Sequence, residues 1–92
     1  MVSAIVLLNV QRGTIDETAQ RLLEIDGVSE VYSVTGEYDL VALLRFQHYE
    51  DLADVVTGQM QQLPTILKTH TLMAFQRHSR EDLQQAWDIG LE

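Results

Sequence analysis

The spacing of apolar positions switches along the chain between a strand-like and a helix-like period. Residues 2–10 (VSAIVLLNV) are β-branched and Leu-rich, too short for a buried helix, and are followed by Gly13, which predicts a first strand. Thr14 stands three residues ahead of Glu17, a capping-box spacing, and Ile15, Ala19, Leu22 and Leu23 recur at helical offsets until Asp26-Gly27. This predicts an amphipathic helix of about a dozen residues. Residues 28–35 (VSEVYSVT) and 39–46 (DLVALLRF) carry strand formers on either side of Gly36-Glu37-Tyr38 and predict a hairpin.

Leu52, Val55, Val56, Met60 and Leu63 then predict a second amphipathic helix that ends at Pro64, with Gly58 inside it costing about 1 kcal/mol relative to Ala. Residues 66–77 (ILKTHTLMAFQR) read as a fourth strand, with Thr69, Thr71, Met73 and Phe75 on one face and Lys68, His70, Leu72 and Ala74 on the other. Ser79, three residues before Asp82, predicts a cap for a short C-terminal helix through Leu83, Ala86 and Trp87. The order β-α-β-β-α-β plus a tail helix predicts an α+β protein of ferredoxin-like fold: a four-stranded antiparallel sheet with both helices on one face.

Two helices cover one face of such a sheet, so a monomer requires a polar second face. The strands do not supply one. Ala4, Val6, Leu8 and Val10 alternate with Ile5 and Leu7, and Leu40, Ala42, Leu44 and Phe46 alternate with Val41 and Leu43, so both faces are apolar. Sheet-to-sheet pairing of two copies follows, in a dimeric α+β barrel arrangement; the competing arrangement folds the tail helix back over the open face.

Composition narrows the class without changing the fold. The 92 residues suit one domain over 1–92, and no apolar run approaches the ~20 residues of a membrane-crossing helix, so neither membrane insertion nor export is expected. The absence of Cys removes disulfides, thiolate nucleophiles and sulfur-bound zinc, and fits a reducing cytoplasm. A net charge of −8 repels nucleic acid phosphates, and the six cations, Arg12, Arg21, Arg45, Lys68, Arg77 and Arg80, are scattered, so direct nucleic acid binding is not expected.

Catalytic motifs are sparse. The glycines stand alone, with no phosphate-cradling spacing. His70 and His78 lie too far apart on an extended strand to chelate one ion, and His48 and the Glu50/Asp54 pair read most simply as solvated positions at and within the second helix, so neither metal nor cofactor is expected. Trp87 serves either to anchor the tail helix or to meet a ligand or partner. The hairpin tip is richer: Thr35, Gly36, Glu37, Tyr38 and Asp39 bring together a hydroxyl, a flexible backbone, a ring and two carboxylates. Such a tip is either an ordinary turn or a pocket for a small zwitterion, with amides and hydroxyls meeting a carboxylate and Glu37 or Asp39 meeting an ammonium.

The run from Gly27 through Thr35-Gly36-Glu37-Tyr38-Asp39-Leu40, followed by a helix, Leu63-Pro64 and Thr69-His70-Thr71, resembles the effector-binding domain of Lrp/AsnC regulators, the RAM domain named for regulation of amino acid metabolism. The resemblance reaches from the first strand to about Arg77. It implies the same fold, pairing through the sheets, assembly of dimers into rings of eight or so protomers, and amino acid binding in clefts between neighbouring dimers. Position by position, it implies that Thr35, Gly36, Glu37, Tyr38 and Asp39 line that cleft, with Thr69 and Thr71 of the last strand as further candidates. Glu37 stands where Asp is frequent in the family. Full regulators carry a helix-turn-helix before this module; here the first strand begins at Val2, so a module without DNA readout is expected.

The leading expectation is therefore a non-enzymatic cytoplasmic sensor that binds an amino acid or related metabolite and shifts its own assembly or its affinity for a partner, for which a full-length regulator of the same family is the candidate. The alternative is a cofactor-independent monooxygenase or isomerase of the dimeric α+β barrel type, with His70 and Tyr32 or Tyr38 as its residues; fold analogy alone carries it.

Overall fold

The computed structural model describes residues 1–80. Its elements are β1 (Val2–Val10), α1 (Ile15–Leu23), β2 (Val28–Ser33), β3 (Leu40–Phe46), α2 (Tyr49–Asp54) with a π-helical continuation (Val55–Met60), and β4 (Ile66–Ala74). The strands form one sheet in the order β2-β3-β1-β4, and each neighbouring pair is antiparallel. This is the ferredoxin-like α+β fold. The expected C-terminal helix through Leu83, Ala86 and Trp87 lies outside the described residues.

The alternation in β1 and β3 is resolved into two unlike faces. Ala4, Val6, Leu8 and Val10 pack with Leu40, Ala42 and Leu44 in a core closed by Leu22 and Ile25 on one side and Leu52, Val55 and Met60 on the other. Cross-strand register puts Leu43, Ile5 and Leu72 in one row on the opposite face, and Tyr32, Val41, Leu7 and His70 in the next. Ile5, Leu7, Val41 and Leu43 are half-buried there and Leu72 is exposed. No helix of the described residues covers them.

Several local expectations shift. Thr14 occupies the N-cap of α1 but makes no side-chain cap to a helix N–H: its hydroxyl donates to the Gln11 carbonyl at 2.6 Å and closes the turn after β1. The buried stripe of α1 runs through Thr18 and Leu22 to Ile25 just beyond it, while Ile15 and Leu23 are exposed. A threonine tolerates full burial there because its hydroxyl meets the Thr65 hydroxyl at 2.7 Å. The second helix stops at Met60 rather than Leu63, and its last six residues are π-helical. Val55 and Met60, five residues apart and both buried, match the i→i+5 repeat of that conformation. β2 and β4 are shorter than expected, ending at Ser33 and Ala74, and Phe75 beyond β4 is 97% exposed.

Two glycines with positive φ differ in what surrounds them. Gly27, at φ +98°, lies against the Phe46 ring, where an added Cβ would sit 2.2 Å from ring carbons; Gly36, at φ +117°, has no atom within 4 Å of that position. Both lose a conformation that L residues disfavour, but only Gly27→Ala also overpacks. Gly27→Ala is expected to lose about 1–3 kcal/mol more than Gly36→Ala in urea unfolding at matched protein concentration.

Candidate functional site

The connection 34–39 between β2 and β3 is held against the end of β1 by side chains as well as backbone. The Asp39 N–H donates to the Leu8 carbonyl at 2.9 Å, and the Asp39 carboxylate accepts the Val10 N–H through Oδ2 at 3.0 Å. The carboxylate thus takes over the β1–β3 ladder where main-chain pairing ends at Leu8 and Leu40. Asn9 donates its amide to the Glu37 carbonyl at 2.8 Å, and the Val34 N–H donates to the Asp39 carbonyl at 3.0 Å. Thr35, Gly36 and Glu37 are exposed at the extremity of the loop, while Tyr38 and Asp39 are half-buried at its base.

Of the tip residues, Asp39 reaches a cavity. It is about 400 Å³, and it lies between the base of the tip, the β1–α1 turn and the start of β4. Val10, Ile15 and Leu67 give it an apolar wall, and Arg12 and Asp39 carry opposite charges at its lining. Arg12 and Leu67 were not among the residues expected from sequence. The signal for Arg12 was its place beside Gly13 at a strand-to-helix turn; nothing local marked Leu67, which arrives from 28 positions beyond Asp39.

The two threonines of β4 go elsewhere. Thr69 is half-buried opposite Leu8, across β1 from the tip, and Thr71 pairs with Val6. Thr71 and Met73 line a separate, largely apolar groove of about 270 Å³ against Tyr49, Leu52 and Val56. Among the described residues, the cavity beside Asp39 and the groove at Thr71 have no lining residue in common.

The residues of the enzymatic alternative are also apart. His70 and Tyr32 occupy the open sheet face, on β4 and β2, with β3 and β1 between them. Three strand spacings separate them by roughly 14 Å. Tyr38 is on the tip loop. The Tyr32 hydroxyl donates to the Glu30 carboxylate, and that hydrogen-bonded carboxylate, with its negative charge, holds the phenol above its ordinary range. No group of three or more His, Asp or Glu among the described residues is placed to hold a metal ion.

Comparison with known proteins places this geometry in a context. The sequence model of the Lrp/AsnC ligand binding domain matches residues 3–83. The transcriptional regulator FL11 of Pyrococcus abyssi is 32% identical over 78 residues, which cover 82% of this chain and 49% of the regulator. The chain thus spans about half the length of the curated relatives it matches. The crystal structure of TTHA0845 from Thermus thermophilus is 41% identical with a TM-score of 0.81, covering 87% of this chain and all of that one. A feast or famine regulatory protein of M. tuberculosis, solved in complex with L-methionine, shares the fold at 24% identity and a TM-score of 0.72, covering 87% of this chain and 54% of the regulator.

The Tyr32 geometry has a pH consequence with a definite sign. Its folded-state pKa lies above the unfolded value near ~10, so its contribution to stability is present in full below that value and is lost as pH rises through the folded pKa. Titration followed by the Tyr32 ring-proton shifts is expected to show a lower midpoint in Glu30→Gln than in the parent protein.

Proposed function

The chain belongs to the Lrp/AsnC ligand-binding domain family, and we propose that it is an effector-sensing module that binds an amino acid at the end of the sheet where the hairpin tip meets the β1–α1 turn. The observation that carries this reading is the cavity beside Asp39. The tip is not a loose turn; it is fastened to β1 by a carboxylate and an amide, and the fastening point borders space for a small molecule. Amino acid as the ligand class is supported by the L-methionine complex of the mycobacterial regulator.

The open sheet face supplies the second half of the proposal. Ile5, Leu7, Val41, Leu43 and Leu72 form a continuous apolar surface, fringed by Ser3, Glu30, Arg45 and Lys68. Covering it with the same face of a second copy withdraws five medium-sized side chains per protomer from water, each contributing roughly 1.5–3 kcal/mol when fully buried. Dimers so formed would assemble further, into rings of about eight protomers on the family pattern. Thr35, Gly36, Glu37 and Tyr38, exposed or half-buried in one protomer, would then meet a neighbouring dimer, as would Thr69 and Thr71.

A ligand that fits one assembly better than another shifts the balance between them by that difference in affinity. The readout would be an altered oligomer or an altered partner, a full-length regulator of the same family being the natural one, in the cytoplasm and without catalysis.

A thermal-shift panel of the proteinogenic amino acids, run beside mass measurement with and without each hit, tests the sensing role. At least one amino acid is expected to raise the melting temperature, by the equivalent of about 2.7 kcal/mol at 100 times its dissociation constant. A module that only assembles would show no shift with any of them. For the pairing, light scattering at micromolar concentration is expected to give a multiple of 10.5 kDa for the parent chain and a smaller assembly for Leu43→Glu, which puts a charge at the centre of the apolar face. A parent mass near 10.5 kDa would rule the pairing out.

A further inference from the structure

We propose that residues 81–92 fold back along β4 and seat an apolar helical stripe, Leu83, Ala86 and Trp87, in the groove between α2 and β4. The helix layer is incomplete at that edge. α1 packs chiefly on β2 and β3, and α2 on β3 and β1, which leaves β4 at the margin. The β4 residues on the helix side are Thr69, Thr71 and Met73, opposite the core residues Leu8, Val6 and Ala4. Met73 is 45% exposed and Tyr49, across the groove, 60% exposed.

The groove has the shape and chemistry of a helix seat. Tyr49, Leu52, Ala53, Val56 and Thr57 line one side at the spacing of a single helical stripe. Thr71 and Met73 line the other, and the space of about 270 Å³ between them is lined by no charged group. Its hydroxyls offer acceptors to an indole N–H. That of Thr57 donates to the Ala53 carbonyl at 2.7 Å and keeps its lone pairs for a second partner.

The chain itself supplies the occupant. β4 ends with Ala74 beyond Met73, at the same end of the sheet where Phe46 closes β3, and α2 starts at Tyr49 shortly after Phe46. The chain therefore leaves the sheet at the Tyr49 end of the groove. Residues 75–80 span up to about 20 Å when extended, enough to turn back. Residues 81–91, as a helix, cover about 16 Å against the ~13 Å from Thr69 to Met73. On a helical repeat Leu83, Ala86, Trp87, Gly90 and Leu91 fall on one side, whereas Glu81, Asp88 and Glu92 fall opposite and Asp82 at the flank. An uncharged stripe thus meets an uncharged groove. This placement leaves the open sheet face, apolar across β3, β1 and β4, for the proposed pairing, and a neighbouring dimer meets Thr71 only across the tail.

Trp87 is the single tryptophan, so its fluorescence reports on the tail in the full chain. Its emission is expected to lie to the blue of N-acetyl-tryptophanamide and to be quenched several-fold less by acrylamide. Met73→Glu and Thr57→Glu, at exposed positions on the two sides of the groove, each place a charge against the stripe. Both are expected to move emission and quenching toward those of the free indole, with the far-UV circular dichroism of the folded domain retained. Leu43→Glu, on the open sheet face, is expected to leave the Trp87 signal unchanged even as it reduces the assembly. Parent emission that already matches the free indole overturns the proposal, as does protection that survives both groove variants. Protection lost in Leu43→Glu overturns it too, because the tail would then lie on the open sheet face or against a second copy.

Discussion

Two helices cannot cover both sides of a four-stranded sheet, and in this chain both sides are apolar. β1 makes the constraint acute. It lies in the interior of the sheet, hydrogen-bonded to β3 on one side and β4 on the other, so its backbone is satisfied and its side chains alone decide what surrounds it. Ala4, Val6, Leu8 and Val10 are taken into the core, while Ile5 and Leu7 face outward between Val41 or Leu43 and β4. The proposed pairing of two copies is the covering that makes the second face as dry as the first.

The end of the sheet is organised by polar contacts rather than by burial. Asp39 extends the β1–β3 ladder with its side chain, Asn9 holds the loop through the Glu37 carbonyl, and Thr18 meets Thr65 beneath the helix. Together with the turn closed by Thr14, these contacts bring the base of the hairpin tip, the β1–α1 turn and the start of β4 around one cavity. The same carboxylate that secures the loop borders the space assigned to the ligand.

The element order, the ferredoxin-like class and the alternation in β1 and β3 were legible because burial repeats every two residues in strands and every three to four in helices, and both repeats are strong here. Where periodicity competed with a polar contact, it misled. Thr18 displaced Ile15 and Leu23 from the buried stripe of α1 because Thr65 satisfies its hydroxyl, and the Thr14 hydroxyl donates backward to the Gln11 carbonyl and caps no helix N–H. The π-helical turn has no distinct sequence pattern, since Val55, Val56 and Met60 fit an α-helical pattern nearly as well.

For the candidate site, the base of the Thr-Gly-Glu-Tyr-Asp tip borders the cavity at Asp39, and the tip carries a positive-φ glycine at Gly36. Residue order and hydrophobic period by themselves determined the strands, the helices and the surplus of apolar surface, because those depend on neighbours a few positions away. Tertiary structure alone decided which apolar row of each strand meets the helices, and that Arg12, Asp39 and Leu67 border one space. Those outcomes depend on groups dozens of residues apart converging, and no local period encodes where two distant turns and a strand end will meet.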